Sequence, residues 1–303
     1  MGIISKTLNY IFEGTWTIGF TTASPKDIVE GKTFSVNWIT NHYNNRWFAD
    51  PFILEVDEDY IYVFVEEYND EIRRGRISKL RINKKNYRVE DISVVLQLDQ
   101  HLSFPAILRR KGKILIYPEN SASGKLILYE YLIKENKCIP VCTLANAPLT
   151  DAILTDVFGQ DEIFSTQIPT QNGCLLTKFT KKEEEFVMDS NITLKSNEAR
   201  NAGNWFVCEG KIYRPAQDCS SSYGRAIIIQ EVSYDKEGML SFKDIRTIES
   251  PHTTFKRGCH TLNFYGGYGV IDVFGYRHPA LAKLGKILYL NEIVSWVYGK
   301  INK

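Results

Sequence analysis

Acids, an arginine and a histidine recur in this chain at the edges of short apolar runs, where a fold could gather them. Asp50, Asp151 and His260 each open such a run; Glu66, Glu67, Glu119, Gln167, Gln217, Asp218 and Asp272 each close one, with Arg214 just ahead of Gln217. Carboxylates, a guanidinium and an imidazole are groups of proton transfer and of anion recognition. Burying one costs several kcal/mol unless it is paired, so collecting many at one place implies a use for them. That use need not be chemical, because mutually paired polar residues can also plug a channel. Glu66 and Glu67 precede a polar loop, Asn69 to Arg74, so at least one of them is expected at the surface. His42, His101, His252 and His278 have no partner evident in the sequence and read as structural.

The elements that would position these residues form a repeat. Five segments, starting near 50, 104, 151, 203 and 260, share a polar or small opening residue, an apolar strand, a Gly or charged turn, a second strand and a polar close. The recurrence of roughly fifty residues is the mark of a repeat architecture. In the first, Pro51–Val56 and Tyr60–Val65 flank the turn Asp57-Glu-Asp; in the second, Pro105–Leu108 and Ile114–Tyr117 flank Lys111-Gly-Lys. Third strands open on glycine at Gly75, Gly124, Gly173 and Gly224 and carry β-branched residues suited to a pleated surface. Such a unit cannot bury both faces alone, so the units must stack side by side. The expected fold is all-β, a single-domain five-bladed β-propeller over 1–303. A strand near 14–22 is expected to close the ring, and 283–303 to pack outside as a helix or irregular strand. A two-sheet sandwich would also give short strands, but it has no need of the same turn chemistry five times over.

Composition narrows the function. Thirty-seven basic against thirty-six acidic residues leave a net charge of +1, with no domain-wide footprint for nucleic acid. Seventeen Tyr, sixteen Phe and five Trp suit strands first and sugar stacking second. The six cysteines show no CxxC pair and no zinc spacing, so no residue is assigned to a metal, and a cation in the channel stays open. Gly266-Gly267 with Gly269 is a turn without the spacing of a dinucleotide site, and no cofactor is expected. The first residues lack the apolar core of a secretory leader, and the apolar stretch Ile287–Val297 is too short to span a bilayer. The expected compartment is the cytoplasm.

Several motifs resemble one family. They are Trp47-Phe-Ala-Asp50-Pro-Phe, Ser103-Phe-Pro-Ala with Pro118-Glu-Asn-Ser, Asp151-Ala-Ile-Leu, Tyr213-Arg-Pro-Ala-Gln-Asp218 with Tyr223-Gly224, and Gly258-Cys-His-Thr-Leu-Asn263. Over about residues 10–285 they are similar to the propeller domain on the amino-terminal side of plant glucosamine inositolphosphorylceramide transferases and its bacterial relatives. More distantly the chain resembles the five-bladed clan of glycoside hydrolases that includes arabinanases and xylosidases. That clan's pattern implies Asp50 as general base, Asp151 as the residue that tunes and orients, and Glu119 as the best match for the acid, one blade early. The fourth blade offers Arg214, Gln217 and Asp218 instead of the clan's glutamate, and an arginine beside carboxylates suits a phosphate or sugar carboxylate more than simple hydrolysis.

The resemblance implies an enzyme at a glycosidic centre, in glycosyl transfer for polysaccharide or glycolipid biosynthesis. Asp50, Glu119 and Asp151 would be catalytic, with Arg214, Gln217, Asp218, His260 and Asp272 binding substrate. A glycoside hydrolase on a small oligosaccharide and a non-catalytic sugar-binding propeller assisting another enzyme are the alternatives. The expected partners are a sugar, a sugar nucleotide or an oligosaccharide, together with an enzyme of glycan biosynthesis where the propeller plays the assisting part. Glycosidic chemistry asks for two carboxyl groups about 5–5.5 Å apart if retaining and about 6.5–9.5 Å if inverting.

Overall fold

The computed structural model describes residues 11–40 and 43–287. Strands β1 (Gly14–Thr21) and β2 (Asn37–Trp38) come first, joined through a one-turn helix α1 (Pro25–Val29) that Ser24 and Asp27 cap reciprocally. Four sheets of four strands follow in chain order. Blade I holds β3 (Arg46–Val56), β4 (Tyr60–Asn69), β5 (Arg74–Asn83) and β6 (Val89–Leu96). Blade II holds β7 (Ser103–Arg110), β8 (Lys113–Glu119), β9 (Leu126–Leu132) and β10 (Lys137–Ala145). Blade III holds β11 (Leu149–Thr155), β12 (Glu162–Gln167), β13 (Leu175–Lys182) and β14 (Glu185–Thr193). Blade IV holds β15 (Phe206–Cys208), β16 (Lys211–Asp218), β17 (Ala226–Tyr234) and β18 (Leu240–Glu249). Strands β19 (Leu262–Tyr265) and β20 (Tyr268–Tyr276) then pair with the amino-terminal strands in the order β19-β20-β1-β2, which makes blade V. The β1–β20 ladder runs antiparallel from Gly14↔Tyr276 to Thr21↔Gly269. The amino-terminal and last described strands therefore share one sheet, and the ring is a five-bladed propeller.

The turns follow from local chemistry. Lys111-Gly112, Glu209-Gly210 and Gly266-Gly267 each place two residues at positive φ between strands that pair immediately on either side. That is the two-residue hairpin geometry matched to strand twist. In blade I the Asp57 carboxylate instead accepts from the backbone N–H groups of Asp59 and Tyr60.

A second repeated device sets the site. The inner strands of blades I, II and III share one register slip, between Ala49 and Phe52, Ser103 and Ala106, and Thr150 and Ile153, and β3 slips again between Ile53 and Glu55. Inside each shared slip stands a left-handed residue that is not glycine: Asp50 at φ 50°, Phe104 at 45° and Asp151 at 44°. A bulge of this kind re-aims one side chain and leaves backbone groups unpaired in the ladder. Between the blades the core is closed by contacts such as Phe52 edge-on to Phe104 and Phe164 stacked on Trp205.

Residues 279–287 are helical. The rest of the segment expected to pack outside, 288–303, lies outside the described residues, as does His42. The six cysteines are all free thiols.

Candidate functional site

The bulges explain where the axial acids go. Asp50 N–H donates to the Asp272 carboxylate of blade V at 3.0 Å, Phe104 N–H to Asp50 at 3.1 Å, and Asp151 N–H to Glu119 at 3.1 Å. Each bulge N–H is thus accepted by a carboxylate of the preceding blade. The ring brings Asp50, Glu119, Asp151, His260 and Asp272 together, joined by these bonds from blade to blade.

On the side of blades V and I, Asp272 is fully buried and also accepts from the N–H groups of His260 and Thr261. The His260 Nδ1 lies 2.7 Å from the same carboxylate, and its Nε2 lies 3.7 Å from Asp50 Oδ1. Thr261 Oγ1 donates to Asp50 Oδ1 at 2.8 Å. Burial pushes the Asp50 carboxyl well above its usual range, with the His260 charge opposing and neighbouring acids adding. Burial works against the His260 cation too, yet Asp272 and Asp50 outweigh it and raise its pKa to about 9. Asp50, His260 and Asp272 each offer a ligand atom, all within 4.8 Å of one another, so a cation is geometrically admissible. Asp272, however, already accepts three backbone N–H groups as well as the imidazole.

On the side of blades II to IV the pairing runs through side chains. Arg200 Nε reaches Asp151 Oδ2 at 2.5 Å, and its Nη2 lies 3.4 Å from Glu119. Gln217 Nε2 also donates to Asp151 Oδ2, at 2.6 Å. Burial raises the Glu119 carboxyl well above its ordinary range, with Arg200 opposing and Asp151 adding to the rise. Glu119 Oε1 meets only the Ser121 hydroxyl, at 3.2 Å, which leaves it the less committed of the two oxygens.

Aromatic rings cover this cluster. Trp16 stacks on His260 with centroids 3.9 Å apart, and Tyr223 stands edge-on to the same imidazole at 5.3 Å. The Arg200 guanidinium lies 4.9 Å from the centre of the Tyr223 ring. Tyr223 is 43% exposed, whereas the Asp50 and Asp151 side chains are 5% and 2% exposed. Glu119 is the most open of these acids, its side chain 13% exposed. Trp16 also lines a cavity of about 660 Å³, together with Trp38, Tyr43, Arg46, His252 and Arg277 among others.

Other residues that the sequence points to sit elsewhere. Arg214 is fully buried inside blade IV, where Asn201, Gln230 and the carbonyls of Glu198 and Ala199 take its donors. Burial pushes its pKa down to about 9. The register gives the reason. Ala49↔Glu66, Ser103↔Glu119, Thr150↔Thr166 and Asn201↔Ala216 are matching pairs, so two residues earlier Arg214 stands where the other blades have Phe64, Tyr117 and Phe164. It fills a core position. Asp218 is held by Arg225 and the Ser220 N–H, which outweigh burial and keep its carboxyl below the usual range.

The expectation that Glu66 or Glu67 is exposed is corrected, since they are 6% and 0% exposed. Arg46, Arg76 and Ser78 surround Glu67, and Glu66 lies 3.1 Å from His101. His101 therefore has a partner that the sequence does not suggest. The axial arginine, Arg200, is also absent from the residues that the repeat marks out. The alignment of Ala216 with Glu119 is the available signal, because it places Arg200-Asn201 opposite Ala216-Gln217.

Residues 35–263 match the family model described as glucosamine inositolphosphorylceramide transferase 1, N-terminal. The protein of that name from Oryza sativa subsp. indica is 28% identical over 205 residues, covering 63% of this chain and 27% of that protein. The Arabidopsis thaliana protein is 26% identical over 220 residues, covering 68% and 28%. The matched part of the chain thus spans little more than a quarter of these relatives. Among solved structures, a GH43 β-1,3-galactosidase with galactodeoxynojirimycin superposes with a TM-score of 0.53 at 9% identity, covering 70% of this chain and 82% of that one. A GH43 β-xylosidase/α-arabinofuranosidase from a compost microbial metagenome, in complex with xylotriose, gives 0.51 at 10%, covering 78% and 92%. At such identities the likeness shows the five-bladed fold.

Proposed function

The chain belongs to the family of glucosamine inositolphosphorylceramide transferase 1 N-terminal domains, and from that premise we propose that it acts at a glycosidic centre, in glycosyl transfer, with a sugar held over the axial carboxylates. One arrangement carries this reading: Asp50, buried, and Glu119, half-buried in another blade, stand where desolvation favours the protonated carboxyl, and only Glu119 keeps a lightly engaged oxygen. A carboxyl kept protonated near neutral pH is what a general acid needs, and Glu119 is cast in that role. Asp50 serves as base or nucleophile once ionised, with His260 beside it to stabilise the anion. Asp151 orients Glu119 through its own N–H and through the shared Arg200. Biosynthesis of a glycan or glycolipid, rather than breakdown, is the setting that the relatives' name supports.

A second reading has its own support. Both Asp50 oxygens already accept hydrogen bonds, from Thr261 and from Phe104, as a purely structural acid would. Non-catalytic sugar recognition beside a partner enzyme fits that fact. The Asp50→Asn variant separates the two. Under transfer, turnover falls by at least about 100-fold while sugar binding survives. Unchanged turnover removes Asp50 from the chemistry. Thermal shifts with sugar nucleotides against free oligosaccharides then distinguish use of an activated donor from hydrolysis, because a ligand of the native state raises Tm.

A further inference from the structure

We infer that the side of the axis built by blades II, III and IV is a subsite for an uncharged, hydroxyl-rich sugar ring, with Gln217 as a residue that selects it. This rests on the axial sugar site proposed above and concerns which sugar that site admits.

Gln217 has no solvent exposure. Its Nε2 donates to Asp151 Oδ2 at 2.6 Å and to the Asn201 carbonyl at 2.9 Å, so both amide hydrogens are engaged. Turning the amide over would press its oxygen against the Asp151 carboxylate, which fixes the orientation. The Oε1 is then a buried acceptor without a donor. Native interiors rarely leave such a group unmet, and a ligand hydroxyl is a donor that would meet it. Asn120, at the matching register position of blade II and next to Glu119, also buries an unpaired Oδ1.

The charges at this subsite point the same way. Arg200 is its cation, and the guanidinium is already shared among Asp151, Glu119 and Asn172. Arg214, expected from sequence to grip an anion, is enclosed in the blade IV core. A phosphate or sugar carboxylate would bring further acceptors to a place furnished with acceptors and acids. A ring hydroxyl brings the missing donor, and Gln217 Oε1 can receive it without losing its hold on Asp151. Discrimination of this kind is strong, because the wrong ligand leaves buried polar groups unpaired.

Calorimetric titration of the 303-residue protein tests this with matched probes: galactose and glucose against galacturonate, glucuronate and glucose 6-phosphate. The expected result is binding of the neutral sugars at least about tenfold tighter than of their anionic counterparts. Gln217→Leu, checked for folding by its melting transition, should weaken neutral-sugar binding about tenfold. An anionic probe that binds as tightly as its neutral parent overturns the inference, as does a folded Gln217→Leu variant with unchanged affinity. Should the variant not fold, the comparison of probes on the native chain decides alone. Absence of binding by every probe refutes the axial sugar site itself; a reversed preference refutes only the selection argued here.

Discussion

The two sides of the propeller axis hold their acids in different ways. On the side of blades V and I, Asp272 and Asp50 are fixed mainly by backbone N–H groups, a threonine hydroxyl and an imidazole. On the side of blades II to IV, Asp151 is held by the side chains of Arg200 and Gln217, while Glu119 accepts the Asp151 N–H, the Ser121 hydroxyl and, at longer range, Arg200. Backbone donors cannot leave, whereas side-chain donors can rearrange around a ligand. The first side is built for permanence, the second for exchange, and Tyr223 spans the boundary between His260 and Arg200.

That contrast can be broken by substitution. The largest effect is expected at Asp272, where Ala would strand three buried N–H groups and a charged imidazole; urea unfolding should show a loss of about 3–5 kcal/mol. A smaller loss would mean that this side is less rigidly specified than its hydrogen bonds imply. Arg200→Met should cost about 3 kcal/mol at pH 8 and distinctly less at pH 5, because the Glu119 carboxyl, raised by burial, carries its proton at the lower pH and loses no ion pair there. Equal costs at the two pH values would remove the ion pair from the explanation. Arg214→Met should cost about 1–3 kcal/mol through its orphaned carbonyl and amide partners, with sugar affinity untouched. Loss of affinity there would return Arg214 to the site.

The smallest effect concerns pH. Asp50 has its folded-state pKa raised, so the stability it contributes is complete below about pH 4 and is lost as pH rises through the folded value. Asp50→Asn removes that loss. Its Tm should exceed that of the native chain at pH 8 and match it at pH 4; the opposite order would show that the ionised form is the stabilising one.

Much of this arrangement is legible in the sequence. The repeat of strand, turn and strand specifies the five blades, because turn chemistry and β-branched runs are local signals. It also singles out Asp50, Asp151 and His260 as strand openings and Glu119 and Asp272 as strand closings; Glu119 does end β8, whereas Asp50 lies inside β3 at its bulge and Asp272 in the middle of β20. Blade IV is where the repeat misleads. Its inner strand is only Phe206–Cys208, and the long irregular approach from Leu194 hides Arg200, while its place in the strand makes Arg214 look axial. An arginine in an aromatic core position has no local signature; only the pairing register, which is non-local, reveals it. The Glu66–His101 contact ties β4 to the loop between blades I and II, and no local pattern couples the two residues.

Trp16 and Tyr223 pack on His260 beside the axial acids, so a crystal of Asp50→Asn soaked with galactose tests the axial sugar site itself. The ring should lie at the axis between the substituted side chain and Glu119, with a hydroxyl on Gln217 Oε1 and Tyr223 displaced. Density confined to the cavity around Trp38 and Tyr43, over an unchanged axis, would contradict it.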